Sequence, residues 1–123
     1  MMKHQFKILI FSLLILASCG EYQKLLKSSD YELKYEKAVE YYNDEDYFRA
    51  RSLFEELLTV YKGTTKSEKI HYYYAYCLYN EGNHILAGYH FKNFARVYPN
   101  SKHKEECLYM SAYCQYLNSP EPS

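Results

Sequence analysis

The sequence has no tryptophan, only four glycines and three prolines, and no excess of either charge: 15 basic residues stand against 15 acidic ones. Each scarcity excludes something. With 48% apolar and 24% charged residues and so few chain breakers, the chain is neither low-complexity nor disordered, and one compact domain of ordinary globular character is expected. Lacking a lysine/arginine stripe, it offers no electrostatic footprint for nucleic acid. No Ser/His/Asp order, glycine-rich phosphate loop or clustered carboxylate pair is present, so no catalytic residue is assigned and the chain reads as a non-enzyme. His71, His84, His90 and His103 are scattered over different segments, and none pairs with a cysteine at zinc-site spacing. Neither a metal site nor a cofactor is expected.

What the sequence has in abundance is tyrosine, 17 in all. The stretch HYYYAYCLYN at 71–80 alone holds five of them, and a function has to account for so many phenols.

The first twenty residues stand apart from the rest. MMKHQFK is a charged start, ILIFSLLILA an apolar run, and Leu16-Ala17-Ser18-Cys19 a small-residue cleavage motif. The apolar run falls short of the roughly 20 residues a membrane-spanning helix needs, so residues 1–18 are expected to be a signal peptide. The motif resembles the lipobox of bacterial lipoproteins, which implies that Cys19 becomes an acylated N-terminus carrying palmitate-like chains; the alternative is a signal peptide with a cysteine merely nearby. Residue 20 is glycine, not the aspartate that holds lipoproteins at the inner membrane of enteric bacteria, so the periplasmic face of the outer membrane is the expected address. Removing residues 1–18 takes away Lys3 and Lys7 and leaves a net charge of −2. Residues 19–29 would form a lipidated linker reaching at most roughly 33 Å when fully extended.

The remainder repeats. Ala38, Ala75 and Ala112 are 37 residues apart, as are Ala50 and Ala87, Phe54 and Phe91, and Tyr61 and Tyr98. The Ala-x-x-x-Phe pairs and the closing Tyr98-Pro99 resemble the tetratricopeptide repeat, a 34-residue helix-turn-helix, with three extra residues in the connection from Gly63 to Ser67. Local signals predict helices over 30–43, 46–62, 66–81, 84–97 and 102–117: capping boxes at Ser29–Glu32 and Thr65–Glu68, N-caps at Asp46 and Asn83, and a C′ glycine at 63. Over 46–62, the residues Ala50, Leu53, Phe54, Leu57, Leu58 and Tyr61 form one apolar face opposite Arg49, Arg51, Glu55 and Glu56. Small residues at 38, 50, 75, 87, 88 and 112 let helix axes approach closely.

Register then sorts the tyrosines. Relative to the three equivalent alanines, one stripe runs Tyr35, Val39, Tyr42; then Tyr72, Tyr76, Tyr79; then Tyr109, Tyr113, Tyr116. In tetratricopeptide folds this stripe lines the concave surface, which makes these eight tyrosines the candidate peptide- or partner-binding residues; the alternative is that they are core aromatics or incidental surface. Tyr74 is expected in the core, and Tyr73 has no clear place. Cys77, Cys107 and Cys114 fall at positions suited to small buried side chains, with a Cys77–Cys114 disulfide left open by export to an oxidising compartment.

The order of lipobox, YQKLLKSSDYELKYEKAVEYY, then FEELL with its tyrosine, HFKNFARVYPNS and EECLYMSAYCQYLNSP resembles the BamD family, the lipoproteins of the outer-membrane β-barrel assembly machinery, in the form found in Bacteroidetes. The resemblance covers essentially the whole chain. It implies an all-α tetratricopeptide solenoid over 30–118, with two full repeats and the first helix of a third. Implied partners are the barrel-assembly core protein, other assembly lipoproteins and unfolded outer-membrane proteins, with the membrane contacted through the lipid anchor. The family usually carries about five repeats, so the tail 119–123 suggests a truncation, and helix 102–117 is expected to expose Leu108 and Ala112 for want of a covering partner. Two other readings are another periplasmic tetratricopeptide lipoprotein organising envelope or division proteins, and an accessory subunit of an envelope enzyme.

Overall fold

The computed structural model describes residues 2–121, the side chains of residues 17 and 18 excepted. Residues 122 and 123 of the expected tail, and those two side chains of the cleavage motif, lie outside the described residues. Among the described residues there are six helices and no strand: α1 Met2–Lys27, α2 Tyr31–Asn43, α3 Tyr47–Val60, α4 Thr65–Asn80, α5 His84–Val97 and α6 Lys104–Asn118. The chain divides into two compact units, Met1–Asp30 and Tyr31–Ser123.

In the first unit, α1 has the length and apolar composition to cross a membrane, as secretory signals near an N-terminus also do. The expected linker 19–29 is helical through Lys27, not extended, because Gln23, Lys24, Leu25, Leu26 and Lys27 are straight-chain or γ-branched residues with good helix propensity. At about 1.5 Å of rise per residue, its helical part spans less than half the length it would have when stretched.

In the second unit each helix packs on the next in sequence, α2 on α3, α3 on α4, α4 on α5 and α5 on α6. Nearest-neighbour packing of this kind defines a solenoid. The unit is all-α and of tetratricopeptide type, two helical pairs followed by the first helix of a third.

The 37-residue offset recurs in individual hydrogen bonds. Glu45 N donates to Tyr42 O and Asp46 N to Tyr41 O; in the next repeat Gly82 N donates to Tyr79 O and Asn83 N to Leu78 O. These are the paired bonds of a Schellman helix end. The final residue of each motif also opens the following helix, since Asp46 Oδ1 accepts from Arg49 N at 3.2 Å and Asn83 Oδ1 from Leu86 N at 3.3 Å. One residue stops one helix and starts the next, which folds each pair into a tight αα-hairpin. The turn needs a left-handed residue, and Gly82 supplies it at φ +82° while Glu45 is forced there at φ +62°, at a steric cost of about 1 kcal/mol.

The capping box expected at Thr65–Glu68 does not form. The N-cap of α4 is Thr64, whose hydroxyl donates to Tyr61 O at 2.6 Å and so closes the last turn of α3. At the start of α2, Asp30 N donates to Ser28 Oγ at 3.0 Å.

The core follows the repeat register. Ala38, Ala50, Ala75 and Ala87 are fully buried with Leu53, Phe54, Leu57, Ile70, Phe91 and Phe94. Gly88 permits the closest crossing, because a Cβ there would lie 3.1 Å from the Cβ of Cys114, so α5 and α6 meet with little room for a methyl group. Cys77, Cys107 and Cys114 are buried free thiols, and the open Cys77–Cys114 disulfide is not made. Burial pushes the Cys77 and Cys107 thiols up to about 12, which suppresses the reactive thiolate. On α6, Leu108 is 46% exposed and Ala112 is exposed, whereas their register partners on α4, His71 and Ala75, are buried beneath α5.

Candidate partner-binding face

The helical hairpins bring the tyrosine stripe together across helices. Ring centroids connect Tyr42 to Tyr73 at 4.8 Å, Tyr73 to Tyr72 at 6.2 Å and Tyr72 to Tyr76 at 4.9 Å. From there the belt continues to Tyr79 at 6.5 Å and crosses from α4 to α6 at Tyr113, 6.3 Å away. Tyr113 stacks in turn with Tyr109 at 6.2 Å and Tyr116 at 6.3 Å. Seven of the eight candidate tyrosines therefore form one aromatic belt. The eighth, Tyr35, lies under the ammonium of Lys66, 4.7 Å from its ring centroid.

Burial distinguishes this belt from the core. Tyr35, Tyr42, Tyr72, Tyr76, Tyr79 and Tyr113 are half-buried, and Tyr109 and Tyr116 are 66% and 74% exposed. Tyr74 is in the core as its register predicts, edge-on to His90 at 4.9 Å. Tyr73, which spacing alone left unplaced, stacks flat on Phe54 at 5.3 Å and ties the belt to the core.

Four of the phenols are held neutral. Burial, with a hydrogen bond to the Glu106 carboxylate, raises Tyr72, and burial with the charge of Glu106 pushes Tyr76 up to about 12. Tyr42 and Tyr79 are raised for the same primary reason, burial. The belt thus presents apolar ring faces with hydroxyl rims, the amphipathic surface suited to contact area with a polar handle. Beside Tyr72 and Tyr73 lies a pocket of about 420 Å³ that Thr65, Glu68, Lys69, Lys102 and His103 also line.

Two features were missed by pattern. Glu106 is one; its place beside the belt depends on α6 side chains lying beside those of α4, which one-helix periodicity does not contain. The other feature is a histidine pair. The histidines read as scattered in the sequence, but α4 and α5 bring His71 Nε2 within 3.4 Å of His90 Nδ1. Burial, and then the neighbouring His90, lower His71 to about 4. Among the described residues no three His, Cys, Asp or Glu side chains are grouped to hold a metal. Cys19 is exposed on α1.

Fold and face define a class, a tetratricopeptide-type repeat module with a continuous aromatic surface. The family model of YfiO, described as an outer membrane lipoprotein, matches residues 27–122, and the chain belongs to that family. It is BamD-like, a family of outer-membrane assembly lipoproteins and not of enzymes. Among curated proteins none matches the chain.

Proposed function

We propose that the chain is a non-enzymatic, lipid-anchored scaffold of the β-barrel assembly machinery, tethered through Cys19 to the periplasmic face of the outer membrane, which holds segments of unfolded outer-membrane proteins on its tyrosine belt. Its protein partners are the core protein of that machinery and the other assembly lipoproteins. The observation that carries this reading is a spacing. Along Tyr76, Tyr79, Tyr113 and Tyr109 the rings follow one another at 6.5, 6.3 and 6.2 Å. In an extended strand, side chains on one face recur every two residues, about 6.6–6.8 Å, and transmembrane barrel strands alternate apolar with polar residues in that period. A segment with aromatic or apolar residues at alternate positions can lay one side chain against each successive ring.

The test is a titration with two peptides of identical composition, one alternating tyrosine and leucine with serine, the other carrying its apolar residues in a block. The alternating peptide should bind several-fold tighter, and equal affinities would defeat the spacing argument. The anchor is tested separately. Cys19→Ser should abolish fatty-acid labelling and leave the protein either unprocessed, still carrying its apolar first helix, or soluble, since stable anchoring of the processed chain requires the acyl chains; equal labelling of both forms would exclude Cys19 as the lipidated residue.

A further inference from the structure

In the first repeat an ion pair joins α2 to the start of α4. Lys66 Nζ lies 2.7 and 2.9 Å from the two carboxylate oxygens of Glu32, and the Tyr61 hydroxyl donates to the same carboxylate at 2.7 Å. The ammonium also sits over the Tyr35 ring, 4.7 Å from its centroid. An acid on one helix and a base on the other close the gap between them.

The second repeat keeps the tyrosine and the base but loses the acid. At the 37-residue offset, Glu32, Tyr35 and Lys66 become Lys69, Tyr72 and His103. His103 still lies on the tyrosine, its ring 4.3 Å from that of Tyr72, but a second basic residue stands where the carboxylate stood. Tyr98, the counterpart of Tyr61, turns to Ser67 instead, hydroxyl to hydroxyl at 2.9 Å. In place of the ion pair there is the pocket of about 420 Å³ between α4 and the α5–α6 connection, with Lys69, Lys102 and His103 in its wall beside Tyr72 and Tyr73. Lys69 Nζ is 6.0 Å from the Tyr73 centroid. Among the described residues neither Lys69 nor Lys102 forms an ion pair. The pocket is internal to the repeat array, since α4 packs between α3 and α5, and α6 follows the connection.

We propose that this pocket receives the carboxylate of an aspartate or glutamate side chain in the polypeptide held on the tyrosine belt, supplying in trans the acid that Glu32 supplies in the first repeat. The inference rests on the belt as a peptide-binding face and adds a specificity to it: an extended segment whose aromatic residues are accompanied by an acidic one. Tyr72 and Tyr73 belong to both belt and pocket, so a segment lying on the rings passes the pocket mouth. Two ammonium groups attract the carboxylate and the His103 imidazole offers an N–H donor. The one acid in the wall, Glu68, leaves the lysines in excess. Because Lys69 and Lys102 are exposed, salt screens the attraction.

The test uses dye-labelled alternating tyrosine/serine peptides, acetylated and amidated so that neither chain end is charged. Within a pair they differ only in carrying one glutamate or one glutamine, and two pairs place that residue at either end in turn. In one placement wild type should bind the glutamate peptide about 5-fold tighter at low ionic strength, the size expected of two exposed ion pairs, and the preference should decline with added salt. It should shrink towards equality when Lys69→Gln is combined with Lys102→Gln, and also in Lys69→Glu, which restores the acid of the first repeat from within the chain. Lys92→Gln, on α5 and outside the pocket, removes a positive charge elsewhere and should keep the preference. Equal binding in both placements, a preference that survives the paired lysine substitutions, or one that Lys92→Gln abolishes as well, overturns the proposal while leaving the belt standing. If wild type binds none of the peptides, the belt reading falls, and this inference with it.

Discussion

Lowering the pH from 7.5 to 4 should cost the repeat unit about 3 kcal/mol of stability through His71 alone. His71 lies 6% exposed between α4 and α5, against His90, Phe94 and Tyr98, and burial followed by the neighbouring imidazole lowers it to about 4. In the unfolded chain the same side chain titrates near 6.5. Below about pH 6.5 the unfolded state takes up a proton that the folded state refuses, so stability falls as pH falls and levels off, for this group, once pH drops beneath about 4. His90 is lowered in the same direction by burial, opposed by the carboxylate of Glu55. The measurement is the urea midpoint of wild type and of His71→Leu at pH 7.5 and pH 4.5. Leucine is what the third repeat carries at this register, Leu108. The variant should lose markedly less stability than wild type on acidification; parallel losses would show that His71 is hydrated in solution and that the α4–α5 seam is looser than its packing indicates.

That seam also marks where sequence reading reaches its limit. Repeat register located α2 to α6 to within about two residues at each end, because the alanine and phenylalanine offsets, Asp46 and Asn83 are each local signals with a local mechanism. The C′ place expected at Gly63 falls instead on Lys62, since α3 ends at Val60 with Tyr61 as its C-cap, and Gly63 follows at φ +81°. It separated Tyr74 from Tyr72 and Tyr76 for the same reason, since the face of a helix is fixed by spacing along one element. What it could not contain is distance between elements. His71 and His90 are nineteen residues apart and become neighbours only because the Schellman turn at Gly82 reverses the chain. Glu106 reaches Tyr72 only because α5 returns the chain and brings the side chains of α6 beside those of α4. The capping box at Thr65 failed for a related reason, as the hydroxyl of Thr64 was drawn to the carbonyl of Tyr61, a competition within the connection that the helix-start pattern ignores. Helix existence and face were legible, and pairwise chemistry between helices was not.

The double substitution Tyr79→Ala with Tyr113→Ala should reduce affinity for an alternating aromatic peptide by about 30-fold, if each ring contributes the 1 kcal/mol or more typical of a hot-spot contact, and should do so with little loss of fold stability. These two rings carry the belt from α4 to α6 at 6.3 Å, so their removal interrupts it at the middle. Both are half-buried, and their partners are other rim rings: Tyr76 and His84 for Tyr79, Tyr109 and Tyr116 for Tyr113. Tyr76 is a poorer choice, since its ring packs edge-on at 4.9 Å against Phe91, a fully buried residue; truncation there would mix lost packing with lost binding. Phe91→Ala serves as the stability reference, because truncating a buried aromatic costs about 3–5 kcal/mol. The pair Tyr79→Phe and Tyr113→Phe keeps the ring faces and should retain most of the affinity, which separates stacking from hydroxyl contacts. Urea unfolding and peptide titration on the same preparations decide the matter. A stability loss for the alanine pair as large as that of Phe91→Ala, together with unaltered affinity per folded molecule, would make the belt a structural seam of the solenoid and remove it as a surface for partners.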